Sequence, residues 1–212
     1  MSIGHRVELV SMDAHCHDIT VALYRQDDAD GPIGLVHTYS RDPKAAARVA
    51  FLARAMTVLG GLDLVRDQGG RPSDTFRFAC GTWHATAIKR LFLEATKLSS
   101  AEKPLARPLE TSDAKSGLRI RVVPLGAGRY QVTADDDTDE AATRTPAIAN
   151  GLVKLAELER FEDSTVVGFP CGWDHDPLVG LLLVRALNVR AVLREAELTA
   201  SRGVLVAPSA QE

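Results

Sequence analysis

Two stretches of this chain write the same short pattern in residues that can do chemistry. FACGTWHATAIKRLFLEA starts at Phe78 and FPCGWDHDPLVGLLLVRA starts at Phe169. Laid over each other they share Phe, Cys-Gly, His, Leu and Ala in register, so that Cys80 and His84 correspond to Cys171 and His175. The chain has only three cysteines and six histidines in 212 residues, which makes a repeated Cys-Gly-x-x-His notable. A third cluster, MDAHCHDIT, holds Asp13, His15, Cys16, His17 and Asp18. On a strand, alternation puts Asp13, His15 and His17 on one face and Cys16 on the other. His37, inside an expected strand, reads as an ordinary strand-face residue.

Thiolate and imidazole are the ligands zinc takes in tetrahedral geometry, and three protein ligands plus a water make such a site catalytic. His15, His17, Cys80, His84, Cys171 and His175 are therefore candidate ligands of zinc or another divalent transition metal, with Asp174 or Asp18 as the candidate base. In this reading the protein is a hydrolase- or lyase-type enzyme acting on a small polar molecule. MDAHCHDIT resembles the D-x-H-C-H opening of the TatD-like metal-dependent hydrolases, which implies metal binding by His15 and His17. The resemblance covers five residues, and the chain is short for that family's barrel of eight strand–helix pairs, so the fold is not carried across.

Three other readings use the same residues. ACGTWHATA resembles the A-C-G-T-G-A-C-A stretch around a catalytic cysteine of the diaminopimelate-epimerase-like racemases, with Trp83 in place of the second glycine. That resemblance implies acid–base catalysis by Cys80 and Cys171 on opposite sides of a substrate carbon, one from each half. A single thiolate nucleophile with His84 or His175 as base, oriented by Asp174 or Asp176, is a further arrangement. The non-catalytic alternative is a structural or regulatory module: cysteine at a strand end is often a small buried hydrophobe, and Cys-Gly is then kept for turn geometry. Geometry separates these readings. A metal needs the clusters to converge, a racemase needs the thiols facing across a cavity, and structural corners need neither.

The elements that must position these residues follow from periodicity and punctuation. RVELVSM (6–12) alternates as a half-buried strand, and DITVALYRQ and IGLVHTYSR flank the turn residues of DDADGP as a hairpin. Asp42-Pro43 opens a helix that Gly60-Gly61 stops, with Val49, Leu52, Ala53 and Met56 on its apolar face. TFRFAC is a short strand leading to Cys80, and a helix from about Thr82 to Leu98 carries Ile88, Leu91, Phe92 and Ala95. The polar, proline-containing stretch 99–117 reads as a linker between a first half, 1–98, and a second half, 118–212, which together can also form one integrated domain.

The second half repeats the plan. LRIRVVP and RYQVTAD form a hairpin around the glycines of LGAG, Thr145-Pro146 opens a helix, STVVGFPC is the strand reaching Cys171, and a last helix runs from about Pro177 to Leu187. VRAVLREAEL and GVLVAP read as extra strands. The expected class is α+β: two hairpin–helix–strand–helix halves related by internal duplication, with a mixed or antiparallel sheet and helices packed on it. Each cysteine ends an apolar strand just before a helix, where backbone amides and the helix dipole favour a thiolate or an anionic ligand. In the first copy Cys80 and His84 are expected on one helical face; in the second, Pro177 leaves His175 in the preceding loop.

Bulk properties set limits. The composition is 45% hydrophobic and 25% charged with a mean hydropathy of −0.05, ordinary for a globular chain. A net charge of −3 and a pI near 6.1 supply no electrostatic attraction to nucleic acid or anionic membrane. The N-terminus has too short an apolar run for a signal peptide, and an odd cysteine count is no disulfide framework, so reduced thiols and a cytoplasmic location are expected. The acidic run DDDTDE (135–140) lacks EF-hand spacing and reads as a solvated loop. A small-molecule substrate and pairing of the chain with itself, as a homodimer, complete the expectation.

Overall fold

The computed structural model, which describes residues 6–14, 19–66 and 72–187, arranges the strands in two antiparallel sheets. The first contains β1 (Arg6–Ala14), β2 (Ile19–Asp28), β3 (Gly31–Thr38), β4 (Asp63–Arg66) and β5 (Pro72–Arg77) in the order β1-β2-β3-β5-β4. The second contains β6 (Glu110–Ser112), β7 (Arg119–Gly126), β8 (Arg129–Ala134), β9 (Glu159–Arg160) and β10 (Val166–Gly168) in the order β6-β7-β8-β10-β9. Helices α1 (Pro43–Gly60) and α2 (Ala85–Thr96) accompany the first sheet, and α3 (Asp139–Ala156) and α4 (Asp176–Ala186) the second. The class is α+β. Both halves run β-β-β-α-β-β-α, and both sheets share one strand order.

The helices join the halves. α1 packs on α4 and α2 on α3, and one apolar cluster contains Val21, Leu52 and Phe92 from the first half with Ile120, Leu152 and Leu182 from the second. Burying those side chains in common removes apolar surface that neither sheet could cover alone. Among the described residues no helix is long and apolar enough to cross a membrane.

The first helix begins and ends as its sequence predicts. Asp42 Oδ1 accepts from the Lys44 amide at 2.8 Å, Pro43 holds the first helical position, and Gly61 caps the C-terminus with a left-handed φ of 63°. The third helix does not. Its start lies seven residues before Pro146, at Asp139, with Thr138 Oγ1 accepting from the Ala141 amide at 3.2 Å. The run DDDTDE therefore supplies a helix start: Asp139 and Glu140 sit in the first turn, where the dipole favours negative charge. Pro146 lies in the helix interior, which costs the bond its missing N–H would have made.

With Asp42 and Thr138 matched as N-caps, α1 and α3 are both 18 residues long and share Ala-Ala-x-Arg at Ala45-Ala46-x-Arg48 and Ala141-Ala142-x-Arg144. The two arginines do the same work. Buried Arg48 donates to the carbonyls of Leu98 at 2.8 Å and Thr96 at 2.9 Å and to Ser100 Oγ at 3.1 Å, around the end of α2. Arg144 donates to the Leu187 carbonyl at the end of α4, and its Nε to Asp113 Oδ2 at 2.5 Å. Each half thus uses a guanidinium on its first helix to satisfy carbonyls that its second helix leaves without an intrahelical partner.

Two expectations change and a third is not reached. The stretch 99–117 is not merely a linker, because Glu110–Ser112 pairs with β7 as an edge strand and Arg107 and Pro108 lie on α4, where a Cβ at Gly180 would meet the Arg107 carbonyl at 2.2 Å. The short strands β4 and β9, absent from the sequence reading, pair with β5 and β10. The extra strands expected in 189–198 and 203–208 lie outside the described residues.

Candidate metal centre

Both Cys-Gly corners are built alike. The amide of Gly81 donates to the Phe78 carbonyl at 3.0 Å, and that of Gly172 to Phe169 at 3.0 Å, closing a turn around each cysteine. The glycines take φ of 71° and 72°, a left-handed conformation that side chains disfavour. His84 and His175 are the N-caps of α2 and α4, and their carbonyls accept from Ile88 and Val179. Neither imidazole caps its own helix, so both rings turn toward the cysteines. The expected difference between the copies is absent. Cys80 stands in the turn ahead of α2 rather than on its face, and the four-residue spacing is a loop spacing in both corners.

Across the interface of the halves the corners meet. The ligand atoms of Cys80, His84, Cys171 and His175 all lie within 4.8 Å of one another. Cys80 Sγ is 3.4 Å from His84 Nε2, and Cys171 Sγ is 3.3 Å from His175 Nε2. For zinc holding sulfur at about 2.3 Å and nitrogen at about 2.0–2.1 Å, neighbouring S and N ligand atoms of a tetrahedron are about 3.5 Å apart. The observed pairs match that edge. Corresponding residues also face each other further along, where Arg185 of α4 pairs with Glu94 of α2 at 2.5 Å.

The surroundings suit a cation bound by thiolates. Phe78 packs edge-on against both imidazoles, at centroid distances of 4.8 Å to His84 and 5.4 Å to His175, and Phe169 does the same at 5.2 and 4.5 Å. Burial in this apolar shell lowers the pKa of His84; burial and then the neighbouring His84 lower that of His175 to about 4, against a small opposing pull from Asp174. Both rings are therefore neutral near pH 7, the form that ligates metal. Burial pushes the Cys171 thiol up, as does Cys80 beside it, while the Trp173 amide holds it down. The Thr82 amide donates to Cys80 Sγ at 3.4 Å from the corresponding position. Two thiolates and two neutral imidazoles would balance a divalent ion, with an amide supporting each sulfur.

The remaining sequence candidates are placed as follows. Asp174 Oδ1 accepts from the Gly128 amide at 2.9 Å, and Asp176 Oδ1 accepts from the buried Tyr130 hydroxyl at 3.0 Å, while that hydroxyl receives the His175 amide. These carboxylates hold the second corner in place. Trp83 lies part-buried under the Arg25 guanidinium, 5.8 Å from its ring centre, and Trp173 is exposed. His15, His17 and Asp18 lie outside the described residues. A cleft of about 390 Å³ bordered by Val132, Asp135, Ala141 and Thr145 opens elsewhere in the second half, and none of the four ligands borders it.

Several supporting residues escape a reading of the sequence. Phe78 and Phe169, each two residues before a cysteine, are visible as identities but not as a shell. Gly128 ends a two-residue hairpin turn with Ala127 at positive φ, and a Cβ on it would stand 3.0 Å from the backbone of Gly172 and Trp173. Its missing side chain lets the β7–β8 hairpin press against the corner, where the Gly128 carbonyl accepts from the Phe169 amide at 3.0 Å. Gly128→Ala is expected to cost about 1–3 kcal/mol, since backbone must move and the φ is strained. Thermal denaturation should show this as a lower midpoint; an unchanged midpoint would mean the contact is slack.

Tyr130 has no aromatic counterpart at its register position. Tyr130 pairs with Val167 on β10, whereas Gly34 pairs with Phe76 on β5, and a Cβ on Gly34 would stand 2.2 Å from the Phe76 ring. The aromatic ring thus stands on β8 in one half and on β5 in the other. Comparison with the models of known protein families, with curated proteins and with solved structures gave no significant match to the chain.

Proposed function

We propose that this chain is a zinc-binding protein in which Cys80, His84, Cys171 and His175 hold one ion between two halves that arose by internal duplication. The single observation that carries the reading is the convergence of four ligand atoms, two from each half, within 4.8 Å. Four protein ligands complete a tetrahedral zinc site and leave no position for a substrate, so the favoured role is a staple that fixes one half against the other. The matched element order, the paired arginines and the two alike corners support duplication.

A catalytic centre, of hydrolase or lyase type and acting on a small polar molecule, is the second reading. It is favoured by one feature: both cysteines are part-exposed while both histidines are buried, so dissociation of one thiolate would open the ion to solvent. The racemase arrangement is disfavoured, because thiols this close leave no room for a substrate carbon between them.

The test is metal content of protein purified without a polyhistidine tag, beside a Cys80→Ser, Cys171→Ser double variant. The expected result is about one zinc per chain, absent from the variant, as a single four-ligand site requires. Wild-type protein without metal after growth in zinc-supplemented medium would refute the site. Loading with cobalt(II) then separates the roles: a tetrahedral visible spectrum indifferent to added azide marks the staple, and one that shifts with azide marks an open, catalytic position.

A further inference from the structure

The two thiols of the centre can also react with each other. Cys80 and Cys171 are free and part-exposed, and their sulfurs lie within 4.8 Å. Both stand in turns rather than in helices, so closing the gap calls for side-chain rotation and a small loop shift and moves no helix. Each is followed by a glycine at positive φ, and a Cβ on either glycine would meet nothing within 4 Å, so each corner is open on that side. A disulfide needs the sulfurs at about 2.05 Å with the two side chains directed toward each other, and these already converge on one point.

We infer that Cys80 and Cys171 form a reversible disulfide that clips the two halves together when a peroxide reaches the metal-free chain. The inference shares its residues with the proposed zinc site and does not depend on it. One thiolate attacks the O–O bond of hydrogen peroxide, which breaks; a sulfenic acid forms and the other oxygen leaves as water once protonated. The second thiol then attacks the sulfenic sulfur, the S–S bond forms, and its oxygen departs as a second water. Two thiols are oxidised by two electrons and one peroxide is reduced to two waters. A dithiol reductant reverses the step. Ligation and cross-linking use the same sulfurs, so they exclude each other, and oxidation of the zinc-loaded chain must expel its ion.

The experiment uses the full chain carrying Cys16→Ser, stripped with a chelator and treated with stoichiometric hydrogen peroxide. Loss of both remaining thiols, a Cys80–Cys171 linked peptide in non-reducing peptide mapping, a monomer on a non-reducing gel and recovery with dithiothreitol are expected. Intact thiols, sulfinic acid without a linked peptide, or disulfide-linked dimers would overturn the inference. In a zinc-loaded sample cross-linking should slow by about tenfold or more, with one zinc released per disulfide, because bound thiolates are shielded. A disulfide in protein that binds no zinc leaves this inference standing and removes the metal reading. Zinc binding with no linked peptide after stripping does the reverse.

Discussion

Removing the proposed zinc ion is expected to lower the melting temperature of this protein without unfolding it. Small zinc fingers unfold on chelation because they have almost no core apart from the metal. Here buried side chains such as Phe76, Phe92, Leu152 and Leu182 form a core continuous between the halves, and the emptied centre is left with two neutral imidazoles against Phe78 and Phe169, a tolerable buried state. The ion therefore adds an increment rather than deciding the fold. At free zinc about a thousandfold above its dissociation constant that increment is about 4 kcal/mol. For a chain of this size it corresponds to roughly 8–16 °C in melting temperature. The unfolded chain offers only separate Cys-x-x-x-His pairs, whereas the folded one brings both pairs together, so an ion bound by all four would favour the native state. Scanning calorimetry with and without a chelator checks this, and the Cys80→Ser, Cys171→Ser variant should show no zinc-dependent shift. Identical midpoints for wild type in both conditions would mean that the four residues hold no metal.

The parts of this fold that were legible from the sequence are those where a local rule acts alone. Asp42-Pro43 and Gly60-Gly61 bound α1 by capping chemistry that needs no tertiary context. The two Cys-Gly-x-x-His stretches could be matched because identical residues lie in register, and the structure brings just those four side chains together. Pro146 misled because proline at a helix start is a strong local signal, and here packing of Ile148, Leu152 and Leu155 tolerates it inside the helix. Pairing it with Pro43 hid the Ala-Ala-x-Arg match that the caps Asp42 and Thr138 reveal. Strands of two to four residues such as β9 and β4 have too few side chains to show a period, and their existence is decided by neighbours. Gly128 and Tyr130 act on residues more than forty positions away, so nothing beside them in the chain announces their role.

Arg144→Met should destabilise the second half far more than a surface substitution would. Asp113, which is buried, receives the Arg144 Nε at 2.5 Å, the Ser116 hydroxyl at 2.9 Å and the Lys115 amide at 3.2 Å. Burial alone would raise the Asp113 pKa, yet these hydrogen bonds, led by Arg144 and joined by its charge, hold it below the usual carboxylate range. Losing the guanidinium leaves a buried carboxylate without its cation and the Leu187 carbonyl without that donor. Breaking one side of such a pair costs about 3–5 kcal/mol, or roughly 6–20 °C of melting temperature at this chain length. Arg48→Met, which removes bonds to carbonyls and a hydroxyl at the end of α2, should cost less, about 1–3 kcal/mol. Replacing both partners, Arg144→Met with Asp113→Leu, should recover much of the loss, because no charge is then stranded in the interior. Urea denaturation of the single and double variants measures the coupling directly. Equal costs for Arg144→Met and Arg48→Met, with no recovery in the double variant, would mean that Arg144 acts only on the end of α4 and that its pairing with Asp113 adds nothing.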